Sequence, residues 1–403
     1  MGRVELVPPK KGNYITRELP SVGPGTSIII VNDGDEIRAF YNLCRHRGNK
    51  LVWNDYPGEE VSGSCRQFVC KYHAWRYSLK GDLTFIQQEQ EFFDVDKADY
   101  PLKGVRCEVW EGFIFVNFDD DAVSLEEYLG EFGQGLKGYP FHEMTEHYSY
   151  RATVGSNWKL FIDAFVEFYH APILHMKQAE KEEAEKLAKF GFEALHYDIK
   201  GDHSMISSWG RHESAEGSED GQAHRADPAQ WSVRAVGPPP RHQGHPARRA
   251  ATRDQSRQAL DVGGPGLVRV LPELHIAVLG AGWYLTYNYW PTAVDSHIFE
   301  ADLYFVPPKN LRERLSQELA AVTFKEYAFQ DANTLEATQT QIGTRAVLDF
   351  PLCDQEILLR HLHHTAHKYV DRYTKSLAAG GMETGGRPPR RARRRKKKDP
   401  ANV

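Results

Sequence analysis

The sequence predicts an α+β chain: a small all-β lobe first, then a larger lobe in which strands are followed by long helices. Three observations predict it. Residues 27–31 (Ser-Ile-Ile-Ile-Val) and 36–41 (Glu-Ile-Arg-Ala-Phe-Tyr) flank Asn32-Asp33-Gly34-Asp35, which is a hairpin signal. Residues 113–118 (Phe-Ile-Phe-Val-Asn-Phe) form a further strand, and the segment between these strands is loop-rich. Residues 282–290 alternate aromatic side chains at strand period, 297–306 are strand-like, and 310–345 then read as a long helical region. Residues 125–136 and 157–170 read as two shorter helices. These signals place a first lobe at 1–120, its core at about 20–120, and a second lobe at 121–375.

Composition narrows the class. Hydrophobic residues make up 41% of the chain and aromatic residues 12%, enough for a buried core. Five cysteines, an odd number, do not suggest a disulfide scaffold, so a reducing cytoplasm is expected. The first residues, Met1-Gly2-Arg3-Val4-Glu5, do not read as a signal peptide, and no apolar run is long enough for a membrane span. Residues 211–266 depart from the rest. They hold five residues from the set Ile, Leu, Val, Met, Phe, Trp, Tyr and Cys, against eight arginines. Such a stretch buries little apolar surface and fits a disordered insertion or lid, or a shifted reading frame. Residues 387–398 carry nine Arg or Lys, while residues 1–386 sum to −13. The end from 376 to 403 therefore reads as a disordered, solvated basic tail; with no nucleic-acid module elsewhere, no nucleic-acid partner is expected.

The chemistry starts at two short clamps, Cys44-Arg45-His46 and Cys70-Lys71-Tyr72-His73. Each contributes one thiolate and one imidazole. Two cysteines on one iron and two histidines on the other make a Rieske [2Fe–2S] cluster, whose potential lies above that of an all-cysteine cluster. A zinc site also takes Cys₂His₂, but usually as a Cys pair followed by a His pair. Arg47-Gly48 follows the first clamp and Ala74-Trp75-Arg76-Tyr77 the second, a glycine for close backbone approach and an aromatic to shield the cluster. The gap between His46 and Cys70 holds 23 residues, an extended loop in which Cys65 is a spectator.

A second set lies downstream. On a helix, Asp163, Glu167 and His170 would share one face. His170 and His175 are five apart, and Pro172 should bend or end the helix at Ala171, so that both imidazoles reach one metal. Two histidines with one carboxylate form the facial triad of non-haem Fe(II) oxygenases, which keeps positions open for oxygen and substrate. Asp331 and Glu336 both lie in the late helical region, and residue type alone does not separate them. A simple Rieske electron carrier would be about 100 residues long and lack the histidine pair.

With the clamps, Asn157-Trp158-Lys159, the paired histidines and the late acidic helix in this order, the chain resembles the large terminal (alpha) subunit of Rieske non-haem iron aromatic-ring-hydroxylating oxygenases. The resemblance covers about 10–210 and 270–370. It implies a catalytic domain of helix-grip, START-like form, with an antiparallel sheet and helices. It implies that Cys44, His46, Cys70 and His73 hold the cluster, and that His170, His175 and Asp331 hold the mononuclear Fe(II). Glu167 takes the place of the bridging carboxylate, a position usually held by Asp, with Glu found in amine-demethylating relatives. Ala164 departs from an Asn common in the family. The resemblance further implies a head-to-tail homotrimer, sometimes with a small beta subunit. Electrons would come from NAD(P)H through a reductase, sometimes with a ferredoxin, and pass from His73 to Glu167 of the neighbouring chain. The expected reaction is O2-dependent hydroxylation of a small hydrophobic, aromatic substrate. The alternative is a Rieske monooxygenase that demethylates or hydroxylates an amine or ether. The aromatic strand 283–290 would line the pocket or simply pack the core.

Overall fold

The computed structural model describes residues 2–3, 10–175, 196–207, 266–278 and 282–378. Most of the stretch 211–266 and of the basic tail lies outside them, as do the readings made of those segments.

The first lobe is all β, as expected. Its main sheet contains β1 (Gly2–Arg3), β2 (Asn13–Glu18), β3 (Ser27–Asn32), β4 (Ile37–Tyr41), β5 (Ser62–Ser64) and, after a second small sheet, β9 (Gly104–Trp110) and β10 (Phe113–Asn117). The order is β1-β10-β9-β4-β3-β2-β5, with every pairing antiparallel. The β3–β4 turn forms because the Asp33 carboxylate accepts from the backbone N–H of Asp35 and Glu36, at 2.8 and 2.9 Å, while Gly34 takes a φ of 102°. The small sheet holds β6 (Phe68–Val69), β7 (Arg76–Tyr77) and β8 (Leu83–Phe85). The long loop between the clamps is partly ordered into the main sheet: β5 pairs with β2, Asn13 opposite Ser64. Cys65 follows it, half-buried against the same core cluster that holds Cys44 and Cys70.

The second lobe is built on a seven-stranded antiparallel sheet. Its strands are β11 (Glu146–Val154), β12 (His196–Lys200), β13 (His203–Ser207), β14 (Gly266–Val270), β15 (Leu274–Val278), β16 (Trp283–Ala293) and β17 (Ser296–Phe305), in the order β11-β17-β16-β15-β14-β13-β12. Side chains alternate between two faces. Trp283, Leu285, Tyr287 and Tyr289 of β16, with Phe299, Ala301, Leu303 and Phe305 of β17, point to one core. Tyr284 and Tyr304 point to the other. The aromatic strand thus packs both faces of the sheet, its odd-numbered members facing one set of helices and Tyr284 the other.

Among the described residues the lobe's α-helices are α1 (Leu125–Leu136), α2 (Trp158–Phe165), α3 (Ala171–Leu174), α4 (Leu311–Ile342) and α5 (Ile357–Ala378). Helix α1 covers one face of the sheet through Leu125, Leu129, Phe132 and Leu136, and is broken at Gly130, where φ is 53°. Helices α2, α4 and α5 contribute to the core on the other face, with Phe161 and Ile162, Ala320 and Ala321, and Leu358, Leu359 and Leu362. The expected continuous helix over 157–170 is instead two pieces. Helix α2 ends at Phe165 with a Val166 C-cap, and Pro172 sits in the first turn of α3, where its missing N–H costs nothing. Helix α5 was not anticipated; its apolar positions 358, 359 and 362 are few and lie among histidines.

Candidate metal centres

The two clamps fold into the same backbone loop. In the first, the Cys44 N–H donates to the Asn49 carbonyl (2.8 Å) and the Gly48 N–H to the Cys44 carbonyl (3.0 Å). In the second, the Cys70 N–H donates to Trp75 and the Ala74 N–H to Cys70, both at 2.9 Å. Gly48 and Ala74 close the loops with φ of 76° and 58°. A glycine makes this turn without strain, whereas an alanine there carries a conformational cost held by the surrounding packing.

The loops set the four side chains in layers. Cys44 and Cys70 are each 2% exposed, while His46 and His73 are partly exposed at the tip, with ring centroids 4.6 Å apart. Trp75 stacks on His46 at 4.9 Å, and Tyr72 covers His73 at 3.8 Å. The Tyr77 hydroxyl accepts from the Arg45 N–H (3.0 Å) and lies 3.5 Å from the Cys44 sulfur. Burial raises the Cys44 thiol's pKa. The buried Nδ1 of His46 has no hydrogen-bond partner. Two free buried thiols below two imidazoles, one with an unused lone pair, fit a cluster with a buried cysteine side and an accessible histidine side.

The second centre is assembled by the break after α2. The Val166 N–H closes that helix on the Asp163 carbonyl. Residues 167–170 then turn, and α3 brings His175 back towards His170. Asp331 arrives from α4, which packs against α2 and is 2% exposed at this position. Nε2 of His170 and Nε2 of His175 are 3.3 Å apart, and they lie 3.7 and 3.5 Å from Oδ1 of Asp331. A point equidistant from these three atoms is about 2.0 Å from each, the length of a bond from nitrogen or oxygen to a small divalent metal. Among the described residues this is the one group of three such side chains arranged for a metal. Oδ1 of Asp331 is buried without a hydrogen-bond partner, which also fits a missing cation.

Each imidazole is held from behind. Glu167 bonds His170 twice: Oε1 to Nδ1, and Oε2 accepting from the His170 backbone N–H at 3.1 Å. Gln330 Oε1 lies 2.7 Å from Nδ1 of His175. Both contacts put the proton on Nδ1 and leave the Nε2 lone pair for a metal. Electrostatics agree. Burial pushes the Asp331 carboxyl up to about 7 and the His175 imidazole down to about 4. Burial also works to lower His170, but the bond to Glu167 outweighs it and raises that ring.

Two expectations are revised. Asp163 does not join Glu167 and His170 on one face, because the helix ends between them; its carboxylate binds His363 of α5 at 3.1 Å. Asp331 and Glu336, equivalent by residue type, do different work: Glu336 accepts from the Gly155 N–H at 2.7 Å and, with Gln339 on Asn157, ties α4 to the start of α2. Gln330 escaped the sequence reading, since a glutamine on a long polar helix carries no signal of its own.

Comparison with known proteins agrees with this arrangement. Residues 141–372 match the family described as Ring hydroxylating alpha subunit (catalytic domain), and residues 12–101 match the Rieske [2Fe-2S] domain. The alpha subunit of methanesulfonate monooxygenase hydroxylase from Methylosulfonomonas methylovora is 38% identical over 35% of this chain and 36% of its own length. The carnitine monooxygenase oxygenase subunit of Escherichia coli strain K12 is 34% identical over 40% of this chain and 42% of its own. The chain thus matches less than half the length of either relative. A solved quaternary ammonium Rieske monooxygenase has the same fold, with a TM-score of 0.65 and 19% identity over 92% of this chain and 87% of that one.

Proposed function

The chain belongs to the ring-hydroxylating alpha-subunit family, with a Rieske domain ahead of the catalytic domain, and from that premise we propose that it is the terminal oxygenase of a multicomponent monooxygenase acting on a small amine. The observation that carries the oxygenase reading is the His170, His175 and Asp331 triangle, sized for one metal and buried beside an aromatic-lined sheet face. When bound, the cluster supplies single electrons and the mononuclear iron activates oxygen. The protein's own part is positional. Cys44, Cys70, His46 and His73 would hold the cluster with its histidine side outward. Glu167 fixes His170 and is the carboxylate through which an electron from another chain's His73 would enter. Phe165, Tyr287 and Tyr289 pack on one another on this face, and such rings would suit an alkylammonium group.

The amine reading is preferred over ring hydroxylation for two reasons. The relatives named above act, by their names, on carnitine, quaternary ammonium compounds and methanesulfonate, none of them aromatic. Glu167 stands where aromatic-ring oxygenases usually carry Asp. One oxygen atom would enter a C–H bond next to nitrogen, and the product would split into an amine and an aldehyde. The second oxygen atom leaves as water, with two electrons supplied by NAD(P)H through a reductase, with or without a ferredoxin. A homotrimer is part of the same reading.

The test is turnover of the iron-loaded chain with a reductase, NADH and labelled oxygen. Carnitine or glycine betaine should yield an aldehyde and a shortened amine, with one labelled atom per turnover. A cis-diol carrying two labelled atoms from an aromatic panel, with no aldehyde from amines, would restore the ring-hydroxylating reading.

A further inference from the structure

The helix-covered face of the second sheet carries a polar row that the metal centre does not use. Ser204, Arg269, His275 and Tyr287 lie opposite one another on β13, β14, β15 and β16, so their side chains share that face. Arg269 is 1% exposed and His275 fully buried.

The partners of Arg269 are all neutral. Nε donates to the Ser204 hydroxyl (3.0 Å), and Nη2 reaches the Asp202 carbonyl (3.2 Å) and Nδ1 of His361 (3.0 Å). Nη1 is buried with no partner, and both ring nitrogens of His275 are likewise without one. Among the described residues no carboxylate forms an ion pair with this guanidinium. The two whose charge reaches it are engaged elsewhere, Asp202 with Lys368 and Tyr369, and Asp163 with His363. A guanidinium without a counter-ion in a dry interior is strongly unfavourable, and its free amino group, Nη1, can donate to a carboxylate or sulfonate oxygen. Arg269 Nη1 and the one N–H that a neutral His275 carries are thus neighbouring donors without an acceptor among the described residues, and an acid oxygen would supply one.

Position adds the substrate's shape. The His275 ring meets Tyr289 at 5.4 Å, and Tyr287 lies opposite His275. Both tyrosines are near enough to Asp331 to feel its charge. Arg269 and Tyr287 are two strands apart, about 10 Å across the sheet. We propose that Arg269 and His275 form the seat for the acidic end of the substrate, a carboxylate or sulfonate, while the other end faces the metal centre. Resting on the amine reading, this makes the substrate a short amphoteric ammonium acid.

Binding to the full-length, iron-loaded protein tests it without turnover. The probes are carnitine, glycine betaine, benzoate and methanesulfonate, each set against the form in which the acid group alone is neutralised as an ester or amide. The acids should bind roughly tenfold or more tightly than the neutralised forms. Arg269→Gln should abolish that preference and leave the neutralised forms within about twofold, while Arg269→Lys should keep part of it. Equal binding of acids and neutralised forms to the wild type overturns the seat, as does a full preference in Arg269→Gln. If Arg269→Gln fails to fold, Arg269→Lys decides: a weakened preference supports the seat and an undiminished one overturns it. Benzoate and methanesulfonate separate this proposal from the amine reading. Their Arg269-dependent binding would stand even if no amine were oxidised, and amine turnover without acid preference would stand without the seat.

Discussion

A carboxyl group buried as deeply as that of Asp331 holds its proton up to about pH 7 until a cation replaces it. The sign of the consequence is fixed. Below that pH a proton competes with the metal, while His175, pushed down to about 4, is already a free lone pair. His170, held up by Glu167, must lose its proton as well, so the apparent Fe(II) affinity of metal-stripped protein should rise by about tenfold or more per pH unit between pH 5 and 7 and flatten only once both groups are deprotonated, as read by chelator competition. A flat profile across pH 7 would mean that Asp331 is not a ligand. Gln330 tests the support behind the triad. Gln330→Leu leaves Nδ1 of His175 without its acceptor and should weaken iron binding about 10- to 100-fold, with the fold intact by circular dichroism. At the cluster, Tyr77→Phe removes the hydroxyl near the Cys44 sulfur. A hydrogen bond to sulfur favours the reduced, more negative state, so its loss should lower the potential by about 50 mV, from about 1 kcal/mol on a one-electron couple. Redox titration followed by electron paramagnetic resonance measures this. These residues also mark how far the sequence could be read. The histidines and cysteines have chemistry that constrains their spacing, Asp331 parted from Glu336 only through the family resemblance, and Gln330 and Arg269 become functional only through what the fold places against them.

At the scale of elements, the sequence carried strand signals most clearly where both faces are buried, as in β3, β16 and β17, because apolar content and period then coincide. It was weakest at helix breaks. Residues 157–170 have helical composition throughout, yet α2 stops at Phe165; no Gly or Pro marks the stop, and a local bond from the His170 N–H to Glu167 and a tertiary one between His175 and Gln330 hold the turn that follows. The start of α2 is better encoded. Asn157 caps it by accepting from the Lys159 N–H at 3.0 Å, and its own amide donates to the Val294 carbonyl at 2.6 Å. Asn157→Ala should cost about 1 kcal/mol, seen as a lower urea midpoint with unchanged slope. Because the metal ligands flank α3 and lie on α4, iron stoichiometry should be preserved. Loss of iron at full stability would show instead that this cap positions the site.

At the scale of the molecule, the question is which iron receives an electron from which cluster. The cluster's histidines are partly exposed in the first lobe, and Glu167 is buried in the second, behind His170. If transfer runs within one chain, a chain with a disabled cluster and a chain with a disabled iron site cannot help each other. If it runs between neighbours in a head-to-tail ring, they can. Co-expression of Cys70→Ser chains with His170→Ala chains tests this directly, each variant being inactive alone. In randomly mixed rings a working cluster faces a working iron at half of one position times half of the next. The mixture should then recover about a quarter of the wild-type rate per iron site of a full ring. Mixing the purified variants without subunit exchange is the control and should recover nothing. A co-expressed mixture that stays inactive, although both variants are folded and the intact centre of each is filled, places the whole route inside one chain and removes the need for a ring.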